Sequence, residues 1–310
     1  KREIKGDNDH TKLIAMLNDL NDYSVPMSEI LGKYFDTENI AYWMAFQLLT
    51  GNIDTQNRNV YLYSPTNSHT FYLLDWDNDG MLMRKEYEIR QRAAGQTWEK
   101  GISNYWGNIL LRRCLQTKSF RTALDKAVND EYKYMSAGRI NSMVRQYRSI
   151  VEPYVQKMPD SMHEPLTSSQ YDTVADQLHS EIEQNYQTYQ TGFNKPMPFY
   201  IGKPTPANGK LRLNWDVAYD FNDEDLRYAV TVSKDYAGDD VVFSQRDVVL
   251  PEAVMDMPDE GQYFIKVSVS NASGYTQDAF DHYITDGNKI YGTKCFYVKA
   301  DGSIVEDANE

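Results

Sequence analysis

The chain has 310 residues with 41% apolar content, enough for about two domains with ordinary cores. Its 45 acidic residues against 32 basic ones give a net charge of −13, which sets nucleic acid and anionic membrane aside as default partners, since both would repel it. No apolar run reaches the roughly 18 residues that a membrane span needs, and an anionic substrate would need a metal to be held here.

The first residues, Lys1-Arg2-Glu3, are not led by Met, so the sequence reads as a fragment whose upstream targeting information has been removed. Leu13, Ile14, Leu17 and Leu20 then recur at i, i+1, i+4 and i+7, which predicts an amphipathic helix from about His10 to Asn21. Ser28 to Phe35 continues in helical style. Asp36 offers an N-cap and Glu38 a first-turn acid for the next helix, which carries Ile40, Trp43, Met44, Phe46, Gln47 and Leu48 and stops at Gly51-Asn52. Asp54 therefore falls in a loop just past a buried helix and just before a strand, a place that commonly carries chemistry.

Two strand-like runs follow, Val60 to Tyr63 and Phe71 to Leu74, and Asp54, Asn57, Asn59, Asp75, Asp77 and Asp79 crowd their ends. Convergent oxygen ligands at strand ends are what a hard divalent cation needs. Asp54 and Asn59 make the pattern D-x-x-x-x-N, and Asp77 comes 23 residues after Asp54, beyond one hairpin's worth of sequence. That is the layout of a protein-kinase catalytic loop and its metal-binding aspartate. In such sites the first Asp takes the proton of the attacking hydroxyl, while the Asn and the later Asp hold Mg²⁺ against the nucleotide phosphates.

The same stretch supports a competing reading. Asp75, Asp77, Asp79, Gly80 and Glu86 satisfy the calcium-loop template D-x-[DN]-x-[DN]-G-x₅-E. A calcium hand needs a helix before the loop, and Ser68 to Leu74 is short, β-branched and aromatic, so it reads as a strand. The helix expected after it, from about Arg84 to Ala94, suits either template, and a strand-entered Ca²⁺ loop stays open. Asp75 and Asp79 serve as additional metal ligands or as turn formers at a strand end. Trp76 is expected in the core, Arg58 as an exposed loop arginine, and Asn57 as a local backbone partner.

Helical patterns take over in the spans of roughly 103–116, 118–135, 138–156 and 168–191. Leu110, Leu111, Cys114 and Leu115, then Leu124 and Val128, then Ile140, Met143, Val144 and Tyr147 give the first three one apolar face each. Asp172, Asp176, Glu181 and Glu183 read as a solvated acidic face on the fourth. Gly192 to Pro206, with four prolines and two glycines, reads as a linker. Beyond it Leu211, Leu213, Trp215 and Val217 alternate, as do Tyr228, Val230 and Val232, then Val248 and Leu250, then Tyr263, Ile265, Val267 and Val269. With turn signals at Asn208-Gly209, Asp259-Glu260-Gly261 and Asp301-Gly302, these runs predict a β-sandwich of about 100 residues. Trp215 and the run from Gly261 to Val267 resemble the fibronectin type III or immunoglobulin-like pattern.

Cys114 and Cys295 are the two cysteines and form no disulfide framework; the 24 tyrosines are read as half-exposed packing residues. His10, His69, His163, His179 and His282 have no ligand spacing, so zinc is not expected. Neither G-x-S-x-G, H-E-x-x-H nor a P-loop occurs.

Asn39-Ile40-Ala41-x-Trp43-Met44-Ala45-Phe46-x-Leu48-Leu49-x-Gly51-Asn52-Ile53-Asp54, then Asn57-Arg58-Asn59-x-Tyr61-Leu62-Tyr63, then Leu74-Asp75-Trp76-Asp77-x-Asp79-Gly80 resembles the CotH family of spore-coat and secreted atypical kinases. Three blocks in the family's order and spacing make the likeness specific, and it spans about residues 1–190. It implies a protein-kinase-like fold and Mg²⁺- or Mn²⁺-dependent transfer of the ATP γ-phosphoryl group to Ser or Thr of a protein. Asp54 would be the catalytic base and Asn59 and Asp77 the cofactor-binding metal ligands, with Asp75 and Asp79 beside them. Asn52-Ile53 stands where ordinary kinases place His-Arg, and Asn78-Asp79-Gly80 replaces the Phe-Gly after the metal aspartate.

No glycine-rich phosphate loop and no strand lysine with a helix glutamate partner can be assigned before Asp54. The small lobe is therefore expected to be largely absent, with Lys5-Gly6 the tail of its last strand, and nucleotide affinity to be poor. The expected organisation is α+β: a mostly helical kinase-like lobe over 1–191, a linker over 192–206, and an all-β sandwich over 207–310. Expected partners are a protein substrate or envelope polymer outside the cytoplasm, with no nucleic acid. The competing expectation is a non-catalytic surface or adhesion protein with a structural Ca²⁺ in the loop from Asp75 to Glu86.

Overall fold

The computed structural model describes residues 9–56, 58–90, 97–164, 166–285 and 288–307. The chain divides into two compact units, Lys1–Ala94 with Asn104–Tyr189, and Gly95–Ser103 with Gln190–Glu310. Asn57 and Lys5-Gly6, singled out by sequence, lie outside the described residues.

The first unit contains α1 (Thr11–Asn21), α2 (Met27–Tyr34), α3 (Thr37–Thr50), the strands β1 (Tyr61–Tyr63) and β2 (Tyr72–Leu74), then α4 (Arg84–Ile89), α5 (Ile109–Gln116), α6 (Lys118–Tyr134), α7 (Ala137–Val155) and most of α8 (Ser168–Gly192). Its centre is α3, apolar around most of its circumference, as a helix enclosed on all sides must be. Ile40, Ala41, Met44, Ala45, Leu48 and Leu49 are buried, and α3 packs along α6 through a core that includes Phe120, Leu124, Ala127 and Val128. Each large aliphatic or aromatic side chain so enclosed contributes about 1.5–3 kcal/mol.

Both ends of α3 are fixed by local chemistry. Asp36 accepts the Asn39 N–H at 3.0 Å, satisfying one of the orphan donors of the first turn. At the other end Gly51 is left-handed (φ 63°), and the Asn52 and Gly51 N–H groups return to the carbonyls of Gln47 and Leu48 at 3.1 and 3.4 Å. This Schellman closure needs glycine twice over, since a Cβ there would also lie 2.7 Å from Asn185 Nδ2.

Several expectations are corrected. In α1 the buried residues are Met16 and Leu20, while Leu13, Ile14 and Leu17 are exposed. The helix expected from 103 starts instead as a 3₁₀ turn over Gly101–Tyr105, and α5 begins only after Asn108, whose side chain accepts the Leu110 and Leu111 N–H groups. In α7 no residue is fully buried: of its apolar stripe Met143 and Tyr147 are exposed, and Ile140 and Val144 are half-buried. Glu181, read as solvated, is buried and accepts the Arg84 backbone N–H at 2.9 Å.

The second unit holds β3 (Thr205–Ala207), β4 (Lys210–Asn214), β5 (Leu226–Ser233), β6 (Val241–Val248), β7 (Glu252–Asp256), β8 (Gly261–Asn271), β9 (Thr276–Asp278), β10 (His282–Thr285), β11 (Asn288–Tyr291), β12 (Thr293–Val298) and β13 (Ile304–Glu306). One sheet runs β3-β4-β7 and a six-stranded one runs β13-β12-β8-β5-β6 with β9 also on β8; β10 and β11 pair by themselves. The pairings are antiparallel. Leu211 and Leu213 of one sheet share a core with Val230, Val232, Ile265, Val267 and Phe296 of the other. Period-two alternation puts these residues on one face, and the β5–β8 register sets Val230 opposite Val267. Asn208 and Gly209, both with positive φ, close the β3–β4 hairpin. Phe199 and Ile201, inside the expected linker, belong to this core, whereas Val217 and Leu250, expected in it, are exposed.

Candidate functional site

Asp54 sits four residues past the end of α3, in a loop whose backbone is tied from several directions. The buried Asn52 is the hub. Its carbonyl accepts the Tyr105 hydroxyl at 3.1 Å and the Thr55 hydroxyl at 3.3 Å, and its side-chain oxygen accepts the Asp54 N–H at 3.2 Å. Burial pushes the Tyr105 phenol up to about 12, which keeps it protonated as a donor. Asn108 adds a bond from its amide to the Gln56 carbonyl at 3.0 Å. With the backbone held in this way, the Asp54 side chain is exposed, and among the described residues no side-chain hydrogen bond or ion pair engages its carboxylate.

The segment from Asp75 to Gly80 lies against this loop. Asn52 donates to Asn78 Oδ1 at 3.2 Å, and Gln47, fully buried on α3, donates to Asp75 Oδ1 at 2.9 Å and to Asn78 Oδ1 at 3.4 Å. A Cβ on Gly80 would stand 3.0 Å from Asn52 Oδ1 and 3.1 Å from Asp54 Oδ2, so backbone without a side chain is what lets the two loops meet. The Leu82 N–H bonds the Thr50 carbonyl at 2.8 Å and closes the arrangement.

Asn59 and Asp77 both adopt left-handed backbone, with φ of 52° and 53°. Asn and Asp tolerate that region better than other side chains, yet it carries strain of the sort found at ligand-binding turns. Asp77 and Asp79 are exposed, and among the described residues no side-chain hydrogen bond or ion pair ties Asn59, Asp77 or Asp79 to Asp54. The structure therefore joins Asp54 to the Asp75–Gly80 segment through Asn52, Asn78 and Gly80, and shows no such tie for Asn59. Burial against α3 raises the Asp75 carboxyl, opposed by the hydrogen bond from Gln47.

Hard oxygen donors on two adjoining loops suit Mg²⁺, which takes one or two protein carboxylates and completes its shell with water and phosphate. Among the described residues no group of three or more His, Cys, Asp or Glu side chains is close enough to form an all-protein cage. The calcium-loop template is not gathered either. Glu86 pairs with Arg90 at 2.6 Å, and Asp75 is bonded to Gln47.

Trp76, expected in the core, is 55% exposed and packs on Tyr61 with ring centroids 5.1 Å apart. The expectations of a buried helix before Asp54 and a hairpin between the two aspartates agree with α3 and with the antiparallel β1–β2 pair, in which Tyr61 faces Leu74. Sequence reasoning missed Gln47, Asn78 and Tyr105. A glutamine in the middle of an otherwise apolar helix was the one signal available.

A buried helix, a tied loop with an exposed aspartate, a short hairpin and a second acidic loop define a kinase-like lobe. The family model for the CotH kinase protein matches residues 1–189, and the chain belongs to that family. No curated protein matches the chain. Among the described residues no helix is long and apolar enough to cross a membrane.

Proposed function

We propose that the chain is an atypical protein kinase that transfers the γ-phosphoryl group of ATP to a Ser or Thr hydroxyl of a protein. The observation that supports this most directly is the approach of Gly80 to the Asp54 carboxylate, which sets the Asp54 loop beside the loop that carries Asp77. In this reading Asp54 accepts the proton of the acceptor hydroxyl as its oxygen bonds to phosphorus and the bond to the ADP oxygen breaks. The absence of a side-chain partner on the Asp54 carboxylate among the described residues suits a base that must receive a proton. Asn59 and Asp77 would hold Mg²⁺, which when bound neutralises charge on the phosphates. Asn52 and Tyr105 position the Asp54 backbone and take no part in the proton transfer.

The second unit we read as a fibronectin type III-like sandwich, because its sheets run β3-β4-β7 and β6-β5-β8-β12, with β9, β10 and β11 inserted between β8 and β12. Its role would be to bring the kinase lobe to a protein or envelope polymer outside the cytoplasm.

Transfer of label from γ-labelled ATP to a serine-containing acceptor protein, with and without Mg²⁺, tests the reading. Asp77→Ala is expected to lose Mg·ATP binding, and Asp54→Ala to keep binding but lose turnover. An unaltered transfer rate in Asp54→Ala would discard the assigned base.

A further inference from the structure

One buried side chain grips the turn that carries Asp77 on both of its flanks. Gln47, fully buried on α3, donates from Nε2 to Asp75 Oδ1 at 2.9 Å and to Asn78 Oδ1 at 3.4 Å, the residues on either side of Trp76 and Asp77. Both partners are acceptors, so the amide presents its nitrogen to the turn, and the shorter bond is the stronger. Asn78 Oδ1 also takes the Asn52 side-chain donor at 3.2 Å, and Asn52 Oδ1 accepts the Asp54 N–H. At the far side of the turn the Leu82 N–H reaches the Thr50 carbonyl at 2.8 Å. The C-terminal half of α3 thus pins the segment from Asp75 to Leu82 at both ends.

The backbone of this segment needs such holding. Asp77 has φ 53° and Leu82 φ 56°, and left-handed backbone at a residue other than glycine persists only where its surroundings over-determine it. At Leu82 the partner is a backbone N–H, which almost any residue would supply. At Asp77 it is the Gln47 amide, since among the described residues no other side chain bonds both Asp75 and Asn78. Stability does not account for a glutamine here. Its Oε1 finds no donor among the described residues, a cost that a methionine of similar length would avoid. Asp75 is exposed, so water would solvate its carboxylate without the amide, and Asn78 would keep its bond from Asn52.

We propose that Gln47 is a positioning residue for metal binding: its amide clamps Asp75 and Asn78 and so holds Asp77 in the left-handed conformation from which it would ligate Mg²⁺. The proposal rests on the reading of Asp77 as a metal ligand and deepens it. Gln47 itself, enclosed in the core, reaches neither nucleotide nor acceptor protein. The Asp54 loop keeps its own ties from Tyr105, Thr55 and Asn108 when Gln47 is replaced. The clamp therefore acts on the Mg²⁺ requirement and leaves the rate alone once the metal is bound.

Gln47→Met keeps the length of the side chain and removes the donor, and two measurements on the full chain test it. In the transfer assay the variant is expected to need about tenfold or more Mg²⁺ for half-maximal rate, with the rate at saturating Mg²⁺ within about threefold of the parent. Without metal or nucleotide, the Asp77 and Asn78 backbone resonances should move toward those of ordinary extended backbone, while the melting temperature stays within a few degrees. Asn78→Ala, which removes one acceptor of the clamp from the turn side, should also raise the Mg²⁺ requirement, and the double variant should fall short of the product of the two single effects. An unchanged Mg²⁺ requirement, a lower saturated rate with an unchanged requirement, effects that multiply in full, or Asp77 resonances that do not move would each overturn the proposal. A Gln47→Met chain that fails to fold, or melts roughly ten degrees lower, would overturn it as well by assigning Gln47 to stability. Absence of transfer in the parent at every Mg²⁺ concentration removes the kinase reading instead, and the metal-free resonances still decide whether Gln47 holds the turn.

Discussion

Gly80 approaches Asp54 so closely that a methyl group added to it would stand 3.1 Å from the Asp54 carboxylate. The same methyl would stand 3.0 Å from Asn52 Oδ1, the acceptor of the Asp54 N–H. Asp54 is exposed and free to swing away, whereas Asn52 is buried and bonded on several sides. Gly80→Ala is therefore expected to push the Asp54 carboxylate aside and, because Asn52 cannot yield, to shift the Gly80 backbone by a few tenths of an ångström at a modest cost in stability. Misplacing a reacting group by about 1 Å costs on the order of 10²-fold in rate. Phosphoryl transfer by Gly80→Ala should fall by roughly that factor while its melting temperature stays within a few degrees of the parent. A full rate in this variant would show that the contact does not govern the position of Asp54.

Removal of the Asp54 carboxylate should separate function from folding still more sharply. With no side-chain hydrogen bond to lose among the described residues, Asp54→Asn is expected to change stability by no more than about 0.5 kcal/mol. Loss of a general base lowers rate by about 10²–10⁴-fold. Denaturant titration and a transfer assay on one preparation would reveal the split, and a large fall in stability would mean that Asp54 is structural.

The parts of this arrangement that sequence revealed are local. Asp36 and Gly51 bracket α3 through contacts within a few residues, and alternation in Tyr228, Val230 and Val232 or Tyr263, Ile265 and Val267 fixes which face of a strand is buried. The parts it hid are joined at long range. Gln47 and Asp75, Asn52 and Asn78, and Tyr105 and Asn52 meet across 28, 26 and 53 residues, and amides and phenols carry no spacing signature. Periodicity also reports only that an apolar face exists. It could not distinguish Met16, which α1 buries, from Ile14, which it exposes, nor show that Met143 and Tyr147 of α7 stay exposed. Glu181 misled for the converse reason, since its partner is a backbone N–H at Arg84, 97 residues away.

Arg113 is buried and supplies the polar framework of the α1–α2 connection. Its Nη1 donates to the carbonyls of Leu20 at 2.6 Å and Asp22 at 3.2 Å, and its Nη2 to that of Val25. The planar fork reaches carbonyls on both sides of the turn, a geometry that a single ammonium cannot copy. Arg113→Lys is therefore expected to destabilise the protein by at least about 2 kcal/mol, from unsatisfied carbonyls and a poorly solvated charge. Urea unfolding that leaves the midpoint unchanged would contradict this account.

Glu131 gives the pH dependence a definite sign. Burial, reinforced by the charge of Asp75, pushes its carboxyl up to about 8 from an ordinary value near 4.5. Between those values the folded chain holds a proton that the unfolded chain has released, so this group's contribution is complete below about 4.5 and is lost as pH rises through about 8. Asp75, also raised by burial, adds a slope of the same sign. Glu131→Gln keeps the shape of the protonated side chain and removes its titration. The variant should match the parent near pH 4, where both side chains are uncharged, and exceed it by about 2 °C or more above pH 8. Thermal melts of the two proteins across this range provide the measurement, and curves that run parallel throughout would show that the proton on Glu131 is not linked to folding.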